Sequence, residues 1–272
     1  MFKELARNIY YTSVARYGGL KKINIFNTLL RLSLKKYFFK HSINQASEKF
    51  FQYKVLASDY PSLYFLYKEV FCLSEYFFRS TRKDPVIIDC GANIGMATLY
   101  FKHLYPEAKI IAFEASPHIY QLLKQNIENN HITNTDLYNI ALYDEEKELS
   151  FFSGSGFQNL VGSVKQNRGG GNEVKIPAKK LSTYLKTMDR VDLIKMDVEG
   201  AELNIINDLF SSSLLQKADQ YIIEYHHNIN GETSNLSDFL KKFESNGFGY
   251  SIKTTFHNLT SFQDILLYFY KK

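Results

Sequence analysis

Short apolar runs separated by helix-length amphipathic stretches set the pattern of this chain from residue 84 onward. Behind Pro85, Val86-Ile-Ile88 is a β-branched run of the kind found in strands covered on both faces. Asp89, Gly91 and Gly95 then mark a turn, and Met96 to Tyr105 carries a helical pattern that Pro106 closes. Lys109-Ile-Ile-Ala-Phe-Glu114 is a second strand with an acid at its tip, which makes the stretch a βαβ unit with a glycine-rich first turn. Ser116 and Pro117 open a helix running to Asn130, and Asp136 to Leu142 is a third strand with the loop after it. Glu148–Phe152 and Glu173–Ile176 suggest an antiparallel excursion. The glycine-rich stretch between them, Ser153 to Asn172, reads as a lid or a surface loop. Ser182 begins a helix, a fourth strand ends at Asp197, a turn at Gly200 leads into a helix through Leu209, and Ala218–Tyr225 is a fifth strand. After a helix over Asn235–Ser245, Tyr250–Phe256 and Ile265–Tyr270 form an antiparallel finish. The fold class expected is α/β: a doubly wound, Rossmann-like sheet, mostly parallel with an antiparallel last strand.

Before residue 84 the pattern changes. Residues 1–83 hold 15 lysines and arginines against 5 aspartates and glutamates, a net +10, whereas residues 84–272 carry −5. The early segment is rich in aromatics (Tyr37-Phe38-Phe39, Phe50-Phe51, Tyr76-Phe77-Phe78) and contains one proline, so it reads as several helices. The expected division is therefore a helical, basic segment at 1–83 and a catalytic domain at 84–272. Ile25–Phe39 is a basic amphipathic stretch carrying Lys35 and Lys36. It suits either a lid packed on the catalytic domain or on a second subunit of a homodimer, or a contact with an anionic membrane surface. No nucleic-acid module accompanies the charge. Hydrophobic content of 45% is ordinary for a globular protein. Cys72 and Cys90 offer neither a disulfide framework nor metal spacing. Lys3, Glu4, Arg7 and Arg16 interrupt the apolar positions of the first 20 residues, which do not read as a signal peptide. The expected location is cytoplasmic, or peripheral on the inner face of a membrane.

The glycines of the first turn permit close backbone approach, and the helix start behind them exposes N–H donors. Glu114 is placed to accept hydrogen bonds from two ribose hydroxyls. A dinucleotide fingerprint has a second glycine where Asn93 stands, and no Gly-x-x-x-x-Gly-Lys phosphate loop is present. Asp-x-Gly-x-x-x-Gly resembles instead the first motif of S-adenosylmethionine-dependent methyltransferases. On that resemblance Asp89 faces the ammonium end of the cofactor, and Gly91, Ala92, Asn93 and Gly95 form the turn around it. Glu114 and Ala115 lie at the ribose, Ala141 and Leu142 near the adenine, and Asp197 at the neighbouring strand end. The plainer alternative is that Asp89 and Asn93 only cap a helix.

Period-two geometry puts Glu224 and His226 on one face of the fifth strand, and Asp197 and Glu199 on one face of the fourth if strand conformation continues. Glu202 serves equally as a first-turn helix acid or as a ligand. Asp89-Cys-Gly-Ala-Asn-Ile-Gly95, Ala112-Phe-Glu-Ala-Ser-Pro117 and Lys195-Met-Asp-Val-Glu-Gly-Ala-Glu202 together resemble the FkbM family of methyltransferases. Ile223-Glu-Tyr-His226 is similar to that family's Glu-x-His segment, and Gly162-Ser163 to a small-residue-plus-serine element. The resemblance spans roughly residues 84–270 and departs at Ala115, where proline is frequent. It implies methylation of a hydroxyl oxygen on a macrolide, sugar or glycan. A non-catalytic scaffold in a glycan-assembly complex is the alternative from another class, and a dehydrogenase is disfavoured by the Asn93 spacing.

Such a reaction needs the acceptor's proton removed. His226, with an ordinary pKa near about 6.5, is the natural base, and Asp197 and Glu224 would orient it or the acceptor. Alternatively Asp197, Glu199 and Glu224 hold Mg²⁺, an option disfavoured because His226 is a poor partner for that ion.

Overall fold

The computed structural model describes residues 2–15, 21–39, 45–154, 162–166, 171–229, 235–254 and 262–272. In the basic N-terminal segment, α1 (Phe2–Val14) and α2 (Lys22–Phe38) precede a hairpin of β1 (Ala46–Phe50) and β2 (Tyr53–Ala57). Next come α3 (Tyr60–Tyr67) and a π-helical turn at Lys68–Cys72. The hairpin corrects the expectation of helices alone. Its alternate positions are buried, and its turn uses Phe51 at φ 50° with no Asn-Gly or Asp-Gly signal, so the local sequence does not announce it. Asp59 caps α3 by accepting from the Ser62 N–H at 2.7 Å.

The remainder builds the large sheet. β3 (Val86–Cys90), α4 (Met96–Leu104), β4 (Lys109–Phe113), α5 (Pro117–Asn129) and β5 (Thr135–Tyr138) form the first half. A small three-stranded sheet follows, made of β6 (Ala141–Leu142), β7 (Lys147–Ser153) and β8 (Asn172–Lys179). The third strand expected over Asp136–Leu142 is thus two strands in two sheets. The second half holds α6 (Leu181–Leu185), β9 (Val191–Met196), α7 (Glu202–Ser211), β10 (Ala218–His227), α8 (Leu236–Ser245), β11 (Phe248–Thr254) and β12 (Gln263–Lys271). Most of the loop expected between Glu148–Phe152 and Glu173–Ile176, including Gly156, Gly169 and Gly170, lies outside the described residues, as do Thr255 and Phe256.

The seven-stranded sheet runs β11-β12-β10-β9-β3-β4-β5, parallel except for β12, which is antiparallel to both neighbours. Chain order reverses between β3 and β9, and ligands of open α/β sheets bind beyond the carboxyl ends of the strands at such a point. Successive side chains divide the core between the two faces. Ile87, Ile110 and Leu193 join the cluster under α4, α5 and the N-terminal helices, while Ile88, Ile111 and Ile194 join the one under α6, α7 and α8. Each such fully buried aliphatic side chain contributes roughly 1.5–3 kcal/mol of transfer free energy.

The N-terminal segment shares the first of these clusters, through residues such as Leu29, Leu63 and Phe71. Asn126 of α5 accepts from the Leu56 N–H at 2.7 Å and donates to its carbonyl at 2.9 Å, gripping β2 as another strand would. On α2, Lys35 pairs with Glu48 and Lys36 with Glu4, at 2.9 and 2.6 Å, and the Lys36 ammonium lies 3.9 Å from the Tyr64 ring centre. Among the described residues no helix is long and apolar enough to cross a membrane.

Candidate active site

At the switch point the carboxyl ends of β3 and β9 almost touch. Gly91 follows β3 with φ +77°, and a Cβ built on it would lie 1.8 Å from the Asp197 carbonyl oxygen. Glycine is therefore required by space as well as by backbone conformation. The Asp197 N–H donates to the Cys90 carbonyl at 3.0 Å and locks the two ends together. Gly95, at φ +89°, has no room for a Cβ beside Leu123 and stands at the N-cap of α4, so it shapes the turn from behind.

Asn93 adopts a left-handed φ of 51°, which asparagine tolerates better than most residues. This turns its N–H toward Glu114, which accepts from Asn93 N at 2.9 Å and, on its other oxygen, from Ser116 N at 2.8 Å. The carboxylate is held rigidly at the wall of a cleft beyond the strand ends. Burial pushes its pKa up to about 7, against the two backbone N–H groups and the Lys195 ammonium, which act to lower it.

Gly91, Asn93, Glu114, Ala115, Ala141, Leu142, Asp197 and Glu199 of the expected site all line this cleft. Asp89, Ala92 and Gly95 are not among its lining residues. Asp89 is fully buried: it accepts from the Thr98 hydroxyl at 2.7 Å and pairs with Lys195 at 3.3 Å, one strand over in register. Its carboxylate ties β3 to α4 and β9, where the sequence suggested contact with a ligand's ammonium group. The Lys195 ammonium also donates to the Gly91 carbonyl at 2.6 Å, fixing the first turn from beneath.

The sequence did not single out the apolar wall, formed by Phe113, Ile119, Ile140, Phe151, Val164 and Val198. Phe151 and Val164 come from the small sheet and the segment folded over it. Ser163 bridges to Phe152 and donates to the Glu199 carbonyl at 2.5 Å, which draws that segment down to the β9 turn.

Beyond the cleft lies an acid cluster around one imidazole. The strand geometry expected for Asp197 and Glu199 does not continue, because Glu199 has φ 56° and Gly200 φ 109°. The turn nevertheless carries Glu199 back, its Oε2 3.0 Å from His226 Nε2. Asp197 Oδ1 and Asp264 Oδ1 each lie 3.9 Å from the same nitrogen. Glu202 settles its two readings by position: it is the first residue of α7, accepts from Gly200 N at 2.9 Å, and binds His226 Nδ1 at 2.7 Å. Burial alone would lower the His226 pKa, but the Glu202 and Glu199 carboxylates raise it well above its ordinary value. Burial likewise drives Glu224 well up, with the neighbouring Asp197 charge adding to it, and burial pushes Asp197 up to about 6 despite Lys195. The cluster is thus a site where several carboxylates compete for few protons.

Tyr76 enters from the N-terminal segment and donates to Asp197 Oδ2 at 3.2 Å. The sequence offered no signal for this contact, since 121 residues separate the partners.

Residues 89–252 match the family described as the Methyltransferase FkbM domain. The chain belongs to the FkbM methyltransferase family. Among curated relatives, Methyltransferase 1 of Beauveria bassiana is 32% identical over 165 residues, covering 53% of this chain and 66% of its own length. The 2-O-methyltransferase NoeI of Sinorhizobium fredii is 26% identical over 141 residues, covering 46% of this chain and 57% of its own. The chain thus spans about two thirds or less of these two relatives' length. A solved FkbM methyltransferase from Methylobacillus flagellatus aligns at TM-score 0.51 and 14% identity, over 98% of this chain and 60% of that one, a likeness of fold. The residues that line the cleft and those of the His226 cluster up to β10 lie within the matched residues, whereas Tyr76 and Asp264 lie outside them.

Proposed function

We propose that this FkbM methyltransferase takes S-adenosylmethionine as its cofactor and methylates a hydroxyl oxygen of a sugar, glycan or related natural product. The observation that carries the reading is one cleft with two chemistries in its wall: the braced Glu114 carboxylate and, across the Gly91 turn, Asp197 at the edge of the acid cluster. The residues present suit the cofactor. Glu114 has acceptor capacity left after its two backbone bonds, as ribose hydroxyls require. Phe113, Ile140, Leu142 and Phe151 give an apolar wall for a flat base, and Gly91 leaves backbone accessible where a side chain would block it.

When bound, the cofactor supplies a methyl group already activated by its sulfonium. The chain's own tasks are then alignment and proton removal. Rigid placement of two reactants contributes roughly 7–11 kcal/mol in well-oriented systems. An acceptor hydroxyl set against Asp197 delivers its proton into the carboxylate cluster, and Tyr76 keeps that carboxylate oriented. An oxygen acceptor is favoured because a hydroxyl, unlike a neutral amine, must lose its proton as it attacks. A scaffold reading explains this cluster poorly, since buried carboxylates around an imidazole cost stability without serving a binding role. The relative NoeI is named a 2-O-methyltransferase, which supports oxygen as the acceptor.

Calorimetric titration of the folded protein with S-adenosylmethionine, followed by release of the demethylated product in the presence of hydroxylated acceptors, tests the proposal. Micromolar binding and acceptor-dependent turnover are expected; a folded protein that binds no cofactor overturns it. The same titration carries a pH signature. Glu114 has its pKa raised to about 7, so it is ionised above that pH and neutral below it. A neutral carboxyl is the poorer acceptor, so affinity is full near pH 8 and falls as the pH drops through about 7. An affinity flat between pH 8 and pH 5.5 removes Glu114 from the cofactor contact.

A further inference from the structure

We propose that the strand-end cluster around His226 binds one divalent first-row transition-metal ion. His226 Nε2 is its nitrogen ligand, Asp197 and Glu199 are its oxygen ligands, and Glu224 and Asp264 stand alongside. The imidazole is prepared as ligating histidines are. Its Nδ1 is held by Glu202 at 2.7 Å, and Glu202 is itself fixed by the Gly200 N–H, so the ring cannot turn. The Phe262 ring stacks near it with centroids 6.1 Å apart. The His226 side chain is 1% exposed, and Nε2 has no aligned hydrogen bond although Glu199 Oε2 lies 3.0 Å away. A buried ring nitrogen that faces the Asp197 and Glu199 carboxylates without an aligned hydrogen bond is placed as a metal ligand is.

The separations fit an ion better than a hydrogen-bond network. Two donors each about 2.1 Å from a metal stand ~3.0 Å apart at a right angle and ~4.2 Å apart when opposite. The Glu199 and Asp197 oxygens lie 3.0 and 3.9 Å from Nε2, within that interval. Asp197, Glu199 and His226 form one set with ligand atoms all within 4.8 Å of one another, and Glu224, His226 and Asp264 form a second on the same nitrogen. The donors come from the turn after β9 and from β10, and Asp264 of β12 is the register partner of His226. One imidazole among carboxylates favours Mn²⁺, Fe²⁺ or Zn²⁺ over Mg²⁺, which prefers oxygen ligands and water.

The site is argued from protein donors alone, so its test needs neither cofactor nor acceptor. Titration of the full chain with Mn²⁺, followed by electron paramagnetic resonance, should show one ion taken up per chain. The bound-ion signal should carry ¹⁴N modulation from the imidazole, and an equal concentration of Mg²⁺ should not displace the ion. Glu199→Gln removes one oxygen ligand and should weaken Mn²⁺ binding tenfold or more, with the fold kept as read by circular dichroism. His226→Gln should abolish the ¹⁴N modulation. Absence of saturable uptake overturns the site, as does uptake that keeps its affinity in Glu199→Gln or lacks ¹⁴N modulation in the unmodified protein.

Discussion

Replacing Gly91 by alanine is expected to lower the melting temperature by roughly 6–12 °C and to eliminate cofactor binding, a stability loss of about 3 kcal/mol. The added methyl carbon would stand 1.8 Å from the Asp197 carbonyl oxygen and 2.8 Å from its carbon, both backbone atoms that cannot rotate away. To make room, the end of β9 must move outward, which breaks the Asp197 N–H bond to the Cys90 carbonyl. The shift also carries Asp197 off the cleft wall. Conformational strain adds to this, since a residue with a Cβ at φ +77° costs about 1–2 kcal/mol. Gly247→Ala is the internal control: that glycine has φ +81° but open space where the methyl would go, so only the strain should appear. Thermal unfolding of both variants separates the effects. Equal losses for the two would show that the approach of the β3 and β9 ends is not what demands glycine.

Asp197→Asn is expected to reduce turnover by about a thousandfold while cofactor affinity changes no more than a few-fold. The amide is nearly isosteric and still accepts from Tyr76, so the fold and the cleft should persist. What it cannot do is take a proton from an acceptor hydroxyl. Transfer rates and cofactor titration on the same preparation check both halves. Near-normal turnover would take the acceptor's proton elsewhere in the cluster, with Glu199 the next carboxylate toward the cleft.

The predicted Rossmann-like order was legible because its signals are local. Val86–Ile88 and Ile110–Phe113 are short apolar runs, Leu193–Met196 is one interrupted only by Lys195, and the turns after β3 and β9 carry glycines at positive φ. The hairpin β1–β2 was illegible for the converse reason. Its turn residues, Phe51 and Gln52, lack the usual turn chemistry, and its partner on the domain is the Asn126 side chain of α5, which mimics a strand edge.

The site divides the same way. Glu114, Asn93 and the Gly91 turn could be placed from sequence because a βαβ unit positions them within about thirty residues of one another. The sequence also brought Asp197, Glu224 and His226 to one sheet edge through strand periodicity. Which charges meet there was decided by register and crossover. Asp89 turned out to be a structural acid because β9 sets Lys195 opposite it. Glu202 became the partner of His226 because the left-handed turn at Glu199 and Gly200 starts α7 beside β10. Tyr76 and Asp264 reach the cluster from the N-terminal segment and the antiparallel last strand. Periodicity fixes which way a side chain points along its own element, but a contact between elements depends on packing summed over the whole core, and that sum exists only in the folded chain.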